Sequence, residues 1–269
     1  MKPMNILGIN MKCLSYNEMY QIYDDWLLDK YSHAHSLAVI NVQICVYSLF
    51  NKRLRDKYNS ADLVSIDSMP FLIWARTFYN KASDRFYAPD LMLNVSSKAK
   101  EKGYTFFLYG GYPGAPEKME EFLKKRFEGV KIVGKYSPPF RELSDEEDQA
   151  ICDMINSVNP DFLWVGLGSP KQDIWIHEHR EKLHGTIIVP SGATFDFFSG
   201  RIRQAPKWIR NIGIEWFYRL TQDFRRLWIR YTFFNVIFVF MFFLQLIRIV
   251  TFDNSGYLHI FGMRTFFGN

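Results

Sequence analysis

Short, largely apolar runs alternate with segments of helical length and periodicity over the first 200 residues of the chain. Runs of this kind are typical of strands that are buried on both faces of a parallel sheet. The alternation therefore predicts an α/β fold in which helices cover both faces of a mostly parallel sheet. The predicted strands are Leu37–Ile40, Leu63–Ile66, Thr105–Tyr109, Lys131–Val133, Phe162–Val165 and Ile187–Val189.

The helices with the clearest signals are Pro116–Arg126, Ser144–Ser157 and Lys171–Leu183. Ser144 and Glu147 have the spacing of a capping box, which predicts the start of the second of these helices. Composition agrees with a globular protein, because 48% hydrophobic and 23% charged residues exclude wholesale disorder and a multi-span membrane protein. The three cysteines form no Cys-x-x-Cys pair, which favours a reducing compartment. The N-terminal residues show no secretory signal.

The C-terminal part has a different chemistry. Residues 201–230 carry eight basic and two acidic side chains, and the 17 residues 231–247 are uncharged and rich in Phe. Cations beside an apolar helix are the two signals of peripheral membrane anchoring. A helix in the membrane interface is therefore favoured, with a true span and a buried core or oligomer helix as alternatives. We predict a Rossmann-like core over 1–200 and a basic, aromatic, helical, membrane-associating appendage over 201–269. We expect five side chains to enter the acyl region: Phe233, Phe234, Phe238, Phe242 and Phe243.

Polar and glycine residues follow the predicted strands at the point where each strand ends. Ligands of open α/β sheets bind beyond the carboxyl ends of the strands, so this edge is the candidate site. The residues are Asn41, Asp67, Gly110, Gly111, the turn Gly166–Gln172, Gly192 and Asp196.

Two glycine-rich turns lie between a strand and a helix. Tyr109–Glu117 would let backbone N–H groups approach a phosphate, and an ordinary turn is the alternative. Gly166–Gln172 favours a sugar-phosphate contact about as well as a plain helix start. Neither is a G-x-G-x-x-G or P-loop motif, so neither dinucleotide nor ATP binding is specifically indicated.

Asp67 is the candidate general base, since partial burial at a strand end would raise its pKa toward neutrality. The alternative is an Asp that caps the helix beginning near Pro70. The sequence contains no Asp-x-Asp and no H-E-x-x-H, and its histidines do not cluster for zinc. We therefore expect no metal ion and no cofactor.

Taken in order, the motifs resemble the WecG/TagA/CpsF family of glycosyltransferases over about residues 4–235. The matching pieces are Ile6–Ile9, Asn41, Asp67, Asp84–Leu91, Phe107–Gly114, Val165–Asp173, Gly192–Asp196, Gly200, Ala205–Trp208 and Glu215–Arg219. The resemblance implies a metal-independent, inverting transfer in cell-surface polysaccharide biosynthesis. The donor would be a UDP-sugar and the acceptor a polyprenyl-diphosphate-linked saccharide at the cytoplasmic face of the membrane. The sugar would be of the N-acetylmannosamine type, its uronic acid or of the glucose type.

The resemblance also implies roles for particular residues, with Asp67 as the base. Substrate contacts would come from Asn41, Arg85, Gln172 and Asp196, and contacts to the lipid diphosphate from Arg219, Arg226 and Arg230. Gly110 and Gly111, in the first glycine-rich turn, would also contact the substrate. Inverting transfer also needs hydrogen-bond donors near the departing UDP, and helix N-termini with Arg or Lys would supply them.

Other functions stay open at this point. An oxidoreductase is disfavoured by the missing G-x-G-x-x-G, and nucleic-acid binding by the neutral body of the chain. A nucleotide-binding, membrane-associated protein without transferase activity is the main alternative. A homo-oligomer is compatible with the apolar C-terminal segment.

Overall fold

The computed structural model describes residues 3–28, 33–252, 258–260 and 263–264. The strands are β1 (Met4–Ile6), β2 (Ile9–Met11), β3 (His35–Ile40), β4 (Leu63–Ile66), β5 (Thr105–Gly110), β6 (Lys131–Tyr136), β7 (Phe162–Gly166), β8 (Ile187–Pro190), β9 (Val250–Phe252), β10 (Leu258–Ile260) and β11 (Met263–Arg264). The helices are α1 (Tyr16–Leu28), α2 (Val42–Phe50), α3 (Lys52–Asn59), α4 (Met69–Phe78), α5 (Ala88–Lys102), α6 (Ala115–Arg126), α7 (Asp145–Val158), α8 (Lys171–His179), α9 (Gly192–Phe198), α10 (Lys207–Asn211), α11 (Glu215–Gln222) and α12 (Phe224–Leu246).

The main sheet has six strands in the order β4-β3-β8-β7-β5-β6, and each of them matches a strand predicted from sequence. The pairs β3–β8, β8–β7, β7–β5 and β5–β6 are parallel. Because helices surround the sheet, its central strands are buried on both faces, which explains their continuous apolar runs. The predicted α/β class with a mostly parallel sheet is confirmed.

Two of the predicted helices illustrate how local signals set helix ends. The capping box is confirmed: the Ser144 hydroxyl accepts from the Glu147 N–H at 3.3 Å, and a Glu147 carboxylate oxygen accepts from the Ser144 N–H at 3.0 Å. Helix α8 ends at His179, four residues before the predicted end at Leu183. The N–H groups of Lys182 and Leu183 both turn back to the carbonyl of His179, so a turn replaces the last predicted helical residues.

The chain divides into two compact units. The first unit comprises Met1–Ser15, Ile40–Arg85 and Gln204–Asn269, and the second comprises Tyr16–Val39 and Phe86–Arg203. The first unit contains the β1–β2 hairpin, α2 to α4, β4, α10 to α12 and the small β9–β10–β11 sheet. The second contains α1, most of β3, α5 to α9 and β5 to β8. The predicted division into 1–200 and 201–269 stays a prediction.

Helix α12 packs inside the first unit along one face. Its inward positions recur every four residues, which is the spacing that puts side chains on one side of a helix. The ring pairs are Phe234 with Tyr47 at 4.8 Å between centroids, Phe238 with Phe71 at 5.4 Å, and Phe242 with Trp74 at 5.4 Å.

The expectation that all five phenylalanines enter a bilayer is therefore wrong for Phe234, Phe238 and Phe242. These three rings pack on α2 and α4, and Phe238 is only 6% exposed. Phe233 and Phe243 remain exposed on the helix. No helix in the part of the chain that the structure describes combines the length and the hydropathy needed to cross a membrane.

Candidate functional site

Asp67 lies directly after β4, and its backbone N–H donates to the carbonyl of Ile40 at 2.9 Å. The helix that follows, α4, has Ser68 as its N-cap residue, and the Ser68 hydroxyl accepts from the Val42 N–H at 3.3 Å. The alternative in which Asp67 caps this helix is therefore wrong. The Asp67 carboxyl group is left available for another role.

Asn41 follows β3 and performs two tasks. As the N-cap of α2 it accepts a hydrogen bond from the Ile44 N–H at 3.0 Å through Oδ1. The same side chain hydrogen-bonds to the Asp67 carboxyl group. The amide nitrogen is the donor of this side chain and donates to Asp67, while Oδ1 accepts from the helix end. Helix capping thus fixes the orientation of a side chain beside the candidate base.

The guanidinium of Arg85 lies between two carboxylates. Its Nε donates to the backbone carbonyl of Asp67, and its Nη1 donates to the backbone carbonyl of Arg210 at 3.2 Å. Its Nη2 lies 3.8 Å from Oδ1 of Asp67 and 3.4 Å from Oε2 of Glu215. The two carbonyl contacts fix the plane of the guanidinium, so its charge is shared by Asp67 and Glu215.

Burial raises the pKa of Asp67 to about 6. The charges of Arg85 and Arg219 and the hydrogen bond from Asn41 oppose this rise, whereas the charge of Glu215 adds to it. A carboxyl group with a pKa near 6 is largely ionised at pH 7 and is still basic enough to accept a proton from a hydroxyl group. The site therefore holds a carboxylate with the properties of a general base.

One oxygen of this carboxylate stands out. Oδ1 of Asp67 is buried and accepts no hydrogen bond from the backbone groups and side chains that the structure describes. Buried carboxylate oxygens normally have a donor, since leaving an acceptor unpaired costs on the order of 1–3 kcal/mol. A substrate hydroxyl that donates to Oδ1 would supply the missing hydrogen bond.

The glycine turn at the end of β5 lies in the second unit. Gly110 has a φ of +125°, and a Cβ atom there would lie 2.5 Å from the backbone of Gly166. The Gly111 N–H donates to the Gly166 carbonyl at 2.9 Å. Glycine at position 110 is therefore required by close backbone packing at the end of β5 and β7, and a phosphate contact at this turn stays a prediction.

Gln172 closes the second glycine turn, also in the second unit. Its Oε1 accepts from the Gly168 N–H at 3.1 Å, and its Nε2 donates to the Ser169 hydroxyl at 3.2 Å. A Cβ atom on Gly192 would lie 2.8 Å from the same Oε1, so glycine allows α9 to begin beside Gln172. Gln172 thus shapes the loop, and its predicted contact with substrate is untested.

Asp196 contacts Arg201, which lines an open pocket of about 470 Å³ in the second unit. Its carboxylate lies 3.4 Å from Nη1 of Arg201, and Arg201 and Lys118 stack over the ring of Tyr112 at 5.2 and 5.8 Å. Phe140 is 83% exposed at the pocket wall. Two cations and two aromatic faces suit an aromatic ligand with negative charge. The pocket is lined by Tyr112, Lys118, Phe140, Ser199, Gly200 and Arg201.

The three C-terminal arginines predicted to bind substrate differ in how far the structure describes them. Arg219 lies on α11 and is near enough to Asp67 to lower the pKa of that carboxyl group. Arg226 and Arg230 lie on α12, and their side chains are outside the described part of the structure. Their predicted contact with a lipid diphosphate stays a prediction.

The sequence alone does not indicate a role for Glu215. It is buried at the start of α11 and pairs with Arg85. A signal was present, because it is one of two acidic residues in a thirty-residue segment with eight basic ones. An isolated acid in such a segment indicates a specific cationic partner.

The predicted site residues fall into two groups. The first unit brings together Asn41, Asp67, Arg85 and Arg219 around one carboxylate. The second unit contains Gly110, Gly111, Gln172 and Asp196, at the ends of β5 and β7 and on the helices that follow.

Comparison with known proteins places the chain among sugar-transferring enzymes. A sequence profile described as "Glycosyl transferase WecG/TagA/CpsF family" matches residues 4–250. A protein of Bacillus subtilis (strain 168) is 26% identical over 184 residues, which cover 68% of this chain and 70% of the relative. A protein of Bacillus spizizenii is 28% identical over the same shares of both chains. Both are named N-acetylglucosaminyldiphosphoundecaprenol N-acetyl-beta-D-mannosaminyltransferase. The resemblance inferred from the ordered motifs is confirmed.

Proposed function

Since the chain belongs to the WecG/TagA/CpsF family of glycosyltransferases, we propose that it transfers a sugar from a UDP-sugar to a polyprenyl-diphosphate-linked saccharide with inversion. The two Bacillus relatives are named for the transfer of N-acetylmannosamine to a diphosphoundecaprenol-linked N-acetylglucosamine. Their names favour a sugar of the N-acetylmannosamine type over its uronic acid or a glucose-type sugar. The product would enter cell-surface polysaccharide biosynthesis.

The observation that supports this proposal most is the buried Oδ1 of Asp67, which has no hydrogen-bond donor among the described residues. In the proposed reaction an acceptor hydroxyl donates to this oxygen. Asp67 takes the proton while the hydroxyl oxygen attacks the anomeric carbon from the face opposite the UDP. The bond between that carbon and the diphosphate oxygen breaks, UDP leaves with the electron pair, and the anomeric configuration inverts.

The departing diphosphate needs positive charge or hydrogen-bond donors. In this proposal lysine and arginine side chains supply the charge, and no divalent ion is needed; Arg219, Arg226 and Arg230 contact the diphosphate of the lipid-linked acceptor. The position of Arg85 supports a metal-free site, because its guanidinium already lies between the carboxylates of Asp67 and Glu215. A divalent ion that bridged these two groups would compete with that guanidinium.

We assign the nucleotide to the second unit. The open pocket lined by Arg201 offers the exposed ring of Phe140 for stacking, and Lys118 and Arg201, which lie over Tyr112, for the phosphates. A uracil ring with a diphosphate has the complementary chemistry, because it combines a flat aromatic system with negative charge. Activity loss without loss of fold in an Arg201→Ala variant would support this assignment.

The first unit carries the surface that we assign to the membrane. Exposed apolar side chains lie along α10 to α12, among them Trp208, Phe217, Phe224, Val236, Val239 and Phe240. Exposed Lys207 and Arg225 lie on the same three helices. Apolar side chains together with cations suit peripheral attachment to an anionic leaflet, as at the cytoplasmic face of a cell membrane.

The direct test uses the full chain with vesicles that contain a prenyl-diphosphate-linked N-acetylglucosamine. Mass spectrometry of the lipid fraction should show the mass gain of one sugar with one UDP-sugar of a panel. The Asp67→Asn variant, tested in parallel, should give almost no product. Binding of UDP and vesicles without any product would favour the alternative, a nucleotide-binding, membrane-associated protein without transferase activity.

A further inference from the structure

We propose that Glu215 is a positioning residue for the candidate base: it holds Nη2 of Arg85 at hydrogen-bond distance, so that Arg85 does not form a full ion pair with the Asp67 carboxylate. This inference deepens the proposed function and rests on it, because it assumes that Asp67 accepts the proton. It adds a role for a residue that contacts neither reacting atom.

The guanidinium of Arg85 lies closer to the carboxylate of Glu215 than to that of Asp67. Nη2 of Arg85 lies 3.4 Å from Oε2 of Glu215 and 3.8 Å from Oδ1 of Asp67. The first distance is within the range of a long hydrogen bond, and the second is too long for one. The other two donor atoms of the guanidinium are directed at backbone carbonyls, those of Asp67 and Arg210. The guanidinium is thus held in place by three groups other than the Asp67 carboxylate.

The chemical reason for such an arrangement is the strength of the base. A carboxylate paired directly with Arg typically has its pKa lowered by about 1–3 units, which would make a weak base for a sugar hydroxyl. Burial raises the pKa of Asp67 to about 6 while Arg85 and Arg219 lower it. The negative charge of Glu215 raises the pKa of Asp67 further. Glu215 also pairs with Arg85, the cation that lowers this pKa.

Burial strengthens the effect of the Glu215 charge on the pKa of Asp67. The side chains of Asp67 and Arg85 are each 16% exposed, and that of Glu215 is 10% exposed. Charges shielded from water interact through a lower effective dielectric constant than charges at the surface. Among the side chains that the structure describes, the charged groups that act on Asp67 are Arg85, Glu215 and Arg219, and the neutral Asn41 adds a hydrogen bond.

The place of Glu215 in the chain links this effect to α11. Glu215 is the first residue of the helix, and Arg219 follows four residues later. Residues at this spacing lie on the same side of a helix. The same helical turn therefore presents the acid that positions Arg85 and a cation that acts on Asp67.

The test is the pH dependence of kcat/KM in the Glu215→Gln variant, which keeps the shape of the side chain and removes its charge. The acid limb should move to lower pH by about one pH unit, and kcat at pH 7.5 should fall about tenfold, because Asp67 becomes a weaker base. The Glu128→Gln variant is the control: it also removes one negative charge, from a side chain that is 83% exposed in the second unit. Its acid limb should coincide with that of the wild type.

A purely structural role for Glu215 would lower the amount of folded enzyme and leave the acid limb in place, and this result would overturn the inference. If Glu215→Gln does not fold, Glu215→Asp replaces it, because the charge is kept and the carboxylate is drawn back from Arg85. Its acid limb should move in the same direction by a smaller amount, and an unchanged limb would again overturn the inference.

Asp67→Asn is measured alongside: normal turnover there removes the proposed base and this inference with it. An inactive Asp67→Asn beside an unchanged Glu215→Gln profile removes the inference alone.

Discussion

Oε1 of Gln245 accepts a hydrogen bond from the Leu7 N–H at 2.9 Å, across 238 residues of sequence. Nε2 of the same side chain donates to the backbone carbonyl of Asn5 at 3.1 Å. The polar residue near the end of the apolar run is therefore satisfied by the β1–β2 hairpin. Helix α12 is an integral part of the first unit, which has consequences for how variants of this helix behave.

The inward face of α12 should contribute strongly to stability. We expect Phe238→Ala to lower the free energy of unfolding by about 3–5 kcal/mol, because the side chain is buried against Phe71 and its removal leaves a cavity. Urea denaturation followed by circular dichroism measures the change. Phe243→Ala is the matched control, since this ring is 55% exposed, and its cost should stay near or below about 1 kcal/mol. Equal costs for the two variants would contradict the observed packing.

Local patterns in the sequence predicted the sheet well. The six strands and the capping box of Ser144 and Glu147 depend on short-range signals, namely apolar runs and fixed spacings between neighbours. The location of Asn41 and Asp67 at strand ends follows from the same signals, because parallel strands end at one edge. Both residues are found where the alternation of elements predicts them.

Features that depend on distant partners were not predictable in this way. The burial of Glu215 is explained by Arg85, which precedes it by 130 residues. The inward face of α12 depends on rings in α2 and α4, so a run of phenylalanines alone could not separate packed from exposed positions. The β1–β2 hairpin has only three residues in each strand, too few for a clear period.

Asp67→Asn should reduce turnover by about 10²–10⁴-fold, the usual contribution of a general base. Steady-state kinetics with the lipid-linked acceptor measures this loss, and calorimetry should show nearly unchanged UDP affinity. For the wild type, kcat/KM should decline below about pH 6, because burial raises the pKa of Asp67 to about 6 and the protonated form is inactive. Asp56→Asn is the control, an exposed acid on α3 in the same unit. Near-normal turnover of Asp67→Asn would exclude this residue as the base.

The Asp67→Asn substitution should stabilise the fold at neutral pH. Folding raises the pKa of Asp67 from 3.8 to about 6, so the folded state favours the neutral carboxyl group and its ionisation costs stability. The cost is absent below pH 4, grows between pH 4 and pH 6, and reaches roughly 3 kcal/mol above that range. Asp67→Asn should therefore gain about three times as much stability at pH 8 as at pH 4.5. Urea denaturation at both pH values measures the difference, and an equal effect at both would contradict the raised pKa.

Transferase activity should survive chelation of divalent ions. Within the described residues, no group of three His, Cys, Asp or Glu side chains with metal-binding spacing includes Asp67. The Arg85 guanidinium already provides a positive charge between Asp67 and Glu215. Initial rates with and without EDTA should agree within about twofold. Loss of activity that Mg²⁺ or Mn²⁺ restores would show that a metal ion, rather than arginine, stabilises the departing diphosphate.

The outward face of α12 should bind anionic membranes. Val239 is 65% exposed and Phe243 is 55% exposed, and they lie four residues apart on one side of the helix. Burial of one such side chain in the acyl region contributes about 1.5–3 kcal/mol, so removing both should weaken binding by about 10²-fold or more. Co-sedimentation with vesicles that contain phosphatidylglycerol should show this loss for the double variant Val239→Glu and Phe243→Glu.

The control is Val158→Glu, because Val158 is a 39% exposed apolar residue on α7 in the second unit. The inward residues Phe234, Phe238 and Phe242 are avoided, since their substitution would unfold the unit instead of testing its surface. If the double variant binds vesicles as well as the wild type, the membrane contact lies elsewhere on the protein.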